Sequence, residues 1–162
     1  MNFKEELKKS YRMNVLISAA LIVVMLSSAL IVEILKAQLK PFQGFRPRPK
    51  AQTLRLVFYG LGIVQIILVR FLQPALYKQT PADDLKKLLL KLNRANLVTL
   101  SLCEIPALLG LVLFLLTGFY RDFYIFLIIS LILEIMYFPR LRSWEEWLRG
   151  NPQVDDLQGG KE

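Results

Sequence analysis

Charge is missing from this sequence in long blocks. Met13 to Val32 is 20 residues without one charged side chain, and Ala95 to Tyr120 is 26 residues in which Glu104 is the only charge. About 20 apolar residues in a helix cross the hydrocarbon core of a bilayer. Two further runs are less clean. Leu56 to Leu76 is broken by Arg70, and Phe123 to Phe138, only 16 residues long, is broken by Glu134. With 54% hydrophobic residues in 162, the balance exceeds what a soluble domain of this size needs. The pattern predicts an all-α polytopic membrane protein: a four-transmembrane-helix bundle with short interfacial amphipathic helices. The spans fall near 13–35, 54–76, 95–117 and 122–138.

The first run follows Lys8, Lys9 and Arg12 as the core of a secretory signal would. It is too long for one and ends in Glu33-Ile-Leu-Lys36 without a small-residue cleavage site, so a retained helix is expected. A net charge of +8 would suggest nucleic acid in a soluble protein. Here the basic residues flank the spans, where they set orientation and meet anionic headgroups, and no nucleic-acid role is expected. The amino-terminal segment, the middle loop and the carboxyl-terminal segment hold 13 Lys and Arg, against 7 in the first and third loops. Both termini are therefore expected in the cytoplasm, in a multi-pass protein of a cell membrane such as the bacterial inner membrane.

Between the spans the sequence is punctuated. Phe3, Leu7 and Tyr11 recur every four residues among charges, which describes either a short helix on the inner surface or a solvated tail. The stretch KPFQGFRPRPK, with three prolines and a glycine, reads as an irregular external loop. Thr80-Pro81-Ala82-Asp83 is a helix start signal. From there an amphipathic cytoplasmic helix over 81–94 carries Leu85, Leu88, Leu89 and Leu92 on one stripe, with Lys86, Lys87, Lys91 and Arg94 away from it. Nothing breaks it before Ala95, so one helix is expected from Pro81 to near Thr117, about 55 Å at 1.5 Å per residue. Pro139 stops the fourth span, and Ser143-Trp-Glu-Glu146 reads as a capping box for an interfacial helix over 144–149. Trp144 and Trp147 are expected there as membrane-interface anchors. Residues 150–162 read as a disordered tail.

The charges inside the spans are the candidate site. Arg70, Glu104 and Glu134 all fall in the half of the membrane assigned to the cytoplasmic side, about one to two turns from the inner ends of their helices. An unpaired charge there costs about 2.5–3.5 kcal/mol on insertion scales. An intramembrane polar network in which Arg70 bridges Glu104, Glu134 or both is therefore expected, with Arg70 snorkelling to the surface as the alternative. Pro106 removes one backbone hydrogen bond, frees the carbonyl near Leu102 and is the candidate helix kink. Glu33, at the outer end of its span beside Lys36, is expected to be wetted.

Glu104, Pro106 and Gly110 give the stretch from Cys103 to Leu113 a local similarity to the ion-carrying helix of the c subunits of rotary ATP synthases, where an acid precedes a proline and a glycine. What the resemblance implies is a carboxyl that loads and unloads a proton at membrane depth. The chain departs from that family elsewhere: Pro106 is one residue nearer the acid, Gly60-Leu-Gly62 is only a fragment of the glycine run expected on the partner helix, and the middle loop is too long for a rotor hairpin. As a whole the chain resembles small uncharacterised four-span proteins of bacterial inner membranes, which assigns no activity. With Cys103 the single cysteine and no histidine, no nucleophile with its base, no metal cluster and no phosphate loop, neither enzyme chemistry nor a metal or cofactor is expected. The leading expectation is a structural or accessory subunit that offers the basic helix 81–94 to anionic lipid or to a partner in a membrane complex, a homo-oligomer included. The other is a proton- or ion-coupled transport component using the intramembrane carboxylates.

Overall fold

The computed structural model describes residues 3–39, 44, 51–78 and 85–149, and every element among them is an α-helix. In chain order they are α1 (Phe3–Gln38), α2 (Ala51–Leu76), α3 (Leu85–Thr117), α4 (Tyr120–Met136) and α5 (Leu141–Arg149). Three of them, α1, α2 and α3, are long and apolar enough to cross a membrane, and there are four such elements if α4 and α5, bent by 53° at their joint, make one span. The expected start at Thr80–Asp83, the proline-rich loop except Gly44, and the tail over 150–162 lie outside the described residues.

α3 is the central element and packs on α1, α2 and α4. Its closest approach is to α4, because Gly110 carries no side chain: a Cβ there would stand 2.6 Å from Cβ of Phe126 and 3.3 Å from Cα of Phe123. The turn between the two helices is short. Gly118 takes a φ of +75° and donates its N–H to the Phe114 carbonyl at 2.7 Å, the left-handed ending that glycine permits. Against this turn lies Gly44, the other glycine with positive φ, at a spot where a Cβ would meet the Leu116 and Thr117 backbone.

The core lies in three clusters along the bundle. At the end bearing the α3–α4 turn, Met25 and Val32 of α1 meet Ala107 and Phe114 of α3 and Phe123 and Leu127 of α4. In the middle, Val69, Cys103 and Leu133 join α2, α3 and α4. At the α5 end, Leu7 packs with Leu88, Leu89, Leu92 and Trp144, flanked by Tyr11, Tyr77 and Trp147.

That third cluster changes the sequence reading. The Leu7 and Tyr11 stripe belongs to the unbroken α1, and it faces the leucine stripe of α3 and a tryptophan of α5. The apolar stripes of two amphipathic helices and a third short one pack on each other here. Trp144 is accordingly buried, with its ring edge-on to Tyr11 at 5.9 Å. Trp147 donates its indole N–H to the Tyr77 carbonyl at 2.9 Å. Of the two tryptophans expected as membrane-interface anchors, Trp144 is thus buried against protein and Trp147 is half-buried. Ser143 also differs from expectation: α5 already begins at Leu141, so Ser143 lies within its first turn and is exposed.

Candidate functional site

Pro106 organises the middle of the bundle. Lacking an N–H, it leaves the carbonyl four residues earlier, that of Leu102, without its helical donor. Gln65 of α2 supplies one, its amide N–H reaching that oxygen at 3.0 Å. One residue on, the Cys103 carbonyl accepts a hydrogen bond from the Ser130 hydroxyl of α4. The gap that Pro106 leaves in the hydrogen bonding of the continuous α3 is thus where α2 and α4 are both fastened to it.

The Ser130 to Cys103 bond also sets the alignment of the two antiparallel helices. One turn from Ser130 toward the α5 end is Glu134, and one turn from Cys103 the same way are Thr99 and Leu100, all three buried. Glu134 has no exposed surface, and neither of its carboxyl oxygens has a hydrogen-bond partner among the described residues. Cys103 and Glu104 lie within electrostatic range of it. Glu104, half-buried, precedes Ala107, Leu111 and Phe114 at helical spacing, on the side of α3 that packs toward α1. The two acids are therefore near enough to sense each other's charge. Arg70 stays apart: it is exposed on α2 and makes no ion pair among the described residues.

Sequence reasoning missed two polar constellations. Toward the α5 end, Asn14 and Asn96 are buried and joined: Asn96 donates to the Asn14 side chain at 2.9 Å, and Asn14 donates to Asn93 at 2.5 Å. Ser10 extends the chain by exchanging hydrogen bonds with Asn93, and the Tyr77 hydroxyl approaches Asn96 at 3.5 Å. Burial pushes the Tyr77 phenol up from its ordinary value, so it remains a donor at neutral pH. The signal was present in the sequence as Ser10, Asn14 and Ser18 at spacing four on α1 and Asn93, Asn96 and Thr99 at spacing three on α3.

The second constellation lies at the other end. Asp122, almost wholly buried at the start of α4, is held by Arg55 at 2.8 Å and accepts a hydrogen bond from the Tyr59 hydroxyl at 2.9 Å. Glu33 is exposed there, paired with Lys36 at 3.4 Å and accepting from the Tyr124 hydroxyl at 2.6 Å.

A cleft of about 320 Å³ opens at the α5 end, lined among others by Gln73, Tyr77, Asn96, Tyr137, Arg140 and Trp144. No group of three or more His, Cys, Asp or Glu side chains placed to hold a metal ion occurs among the described residues. The arrangement can hold and release a proton on a carboxyl sunk in the bundle. No family model, no curated protein and no solved structure matches this chain.

Proposed function

We propose that this chain is an integral membrane protein of four spans, with α4 and α5 forming the bent fourth, and that it is a proton-coupled component of its membrane. One observation carries the reading: Glu134 is wholly buried without a hydrogen-bonding partner, and its charged neighbour is another acid. An ionised carboxylate left without partners in such a place costs several kcal/mol. A carboxyl kept only for packing is expected to have its cation or hydrogen bonds. Glu134 has neither among the described residues, which supports a side chain whose charge changes during a cycle. The orientation that suits the basic residues puts both termini on the cytoplasmic side of the membrane, the bacterial inner membrane being the natural setting.

Glu134→Gln is expected to abolish a proton-linked flux in proteoliposomes while folding and assembly stay intact. Dicyclohexylcarbodiimide, which attacks protonated carboxyls in apolar settings, is expected to label Glu134. A glutamine variant with unaltered flux and a carboxyl inert to the reagent would overturn the reading.

The satisfied asparagine chain and the Leu7–Trp144 cluster favour a second reading, a rigid structural or accessory subunit. In it the exposed Lys87 and Arg94 of α3 meet anionic lipid or a partner. Normal complementation by Glu134→Gln, with a defined protein co-purifying in mild detergent, is the outcome that selects it.

A further inference from the structure

The surroundings of Glu134 differ on its two sides. Toward the α3–α4 turn the bundle is closed by Met25, Leu113, Phe114, Phe123 and Phe126, all buried and apolar. Phe126 stacks at a tilt on Tyr59 at 5.0 Å, and Gly110 lets α3 close on it, which makes this layer close-packed and apolar, while the polar groups of that end, Asp122, Arg55 and the Tyr59 hydroxyl, are bound to one another at the start of α4. Toward the α5 end the side chains change character. One turn from the level of Glu134 stands Asn96, which lines the cleft and is hydrogen-bonded to Asn14. Beyond it the cleft offers Tyr77, Gln73 and Tyr137, with the exposed Arg140 at its edge.

We propose that Glu134, closed off in the described conformation, exchanges its proton only through this cleft, from the α5 side and not from the other. The proposal rests on the reading of Glu134 as a proton carrier and gives that site its direction. In loading, a hydronium in the cleft gives up one proton, leaving water, and the proton closes an O–H bond on the Glu134 carboxylate. Release is the reverse, with water as acceptor. The side-chain amide of Asn96 and the hydroxyl of Tyr77 are the polar groups along the way.

The charges facing this step are few. α1 presents none between Arg12 and Glu33. α2 contributes Gln65 to the Leu102 carbonyl and turns Arg70 outward. α3 brings Glu104 and the Cys103 thiol, and the α4–α5 joint brings Tyr137 and Arg140. A carboxylate formed beside Glu104 meets repulsion, which favours reprotonation from the cleft.

Access is tested separately from flux. In a Cys103→Ser background, single cysteines replace Thr99 and Tyr137 on the cleft side, and Leu113 and Phe126 in the apolar layer. Silver ion, small enough to follow a water path, is applied to sealed vesicles of each orientation, and unreacted thiol is then counted with a maleimide after denaturation. Thr99→Cys and Tyr137→Cys are expected to react an order of magnitude faster from the α5 side than from the other. Leu113→Cys and Phe126→Cys are expected to be inert from both. Reaction of the apolar-layer positions from the opposite side, or inertness of Thr99→Cys and Tyr137→Cys from both sides, would overturn one-sided access. Since this measurement needs no transport, a null result in the Glu134→Gln flux assay leaves it independent.

Discussion

Val69 and Arg70 are neighbours in sequence with opposite surroundings, Val69 buried in the central cluster and Arg70 out on the surface. Counting residues from the ends of a span gives depth, and by depth Arg70, Glu104 and Glu134 belong together. Depth says nothing of direction around the helix axis, and a step of one residue turns a side chain by about 100°. Because α2 spends its inward direction on Val69, Arg70 faces out. A buried carboxylate does find its cation elsewhere in the bundle, in the pair of Arg55 with Asp122. Arg70→Ala should therefore cost less than about 0.5 kcal/mol, as surface changes do. Arg55→Ala should cost about 1–3 kcal/mol, because it leaves the buried Asp122 carboxylate with only the Tyr59 hydroxyl. Adding Asp122→Asn should restore part of that loss. Thermal unfolding in detergent of the three variants checks the ordering, and equal losses for Arg70→Ala and Arg55→Ala would contradict it.

At the level of elements, the helices were legible because a charge-free block and a 3.6-residue stripe are local signals. α3 ends at Thr117 just before the glycine that caps it, and the vacated carbonyl at Leu102 follows directly from Pro106. What fills that carbonyl was not legible, since Gln65 lies on another helix in a stretch whose neighbours are all apolar. Nor was the pairing of the Leu7 stripe with the leucines of α3, because an amphipathic face announces only that it needs an apolar partner and leaves lipid and protein equal. The Gln65 contact makes a specific demand on energetics. Gln65→Leu strands a buried carbonyl and should cost about 1–3 kcal/mol. In a Pro106→Ala background the alanine N–H is available to the same oxygen, and the further cost of Gln65→Leu should shrink by more than half. A double-mutant cycle in detergent measures this coupling, and strictly additive losses would mean that Gln65 does not serve the proline gap.

For the whole molecule, the excess of 13 basic residues over 7 predicts one orientation. Reporter fusions after Gln79 and after Glu162 are both expected to register the cytoplasm, and a periplasmic signal from either would invert the side from which Glu134 is served. The buried cluster at the α5 end bears on how such a bundle is made. Leu7 leaves the ribosome long before Trp144, at a synthesis rate of about 5–20 residues per second. Through that interval the leucines of α1 and α3 are joined on one flank only. The arrival of α5 then sets Trp144 against Tyr11 and ties Trp147 to the end of α2. This short helix thus works as a clasp: α1 and α2 already pack on α3, and α5 adds one tie to α1 and one to the end of α2, so a nascent chain halted before Leu141 lacks both fastenings.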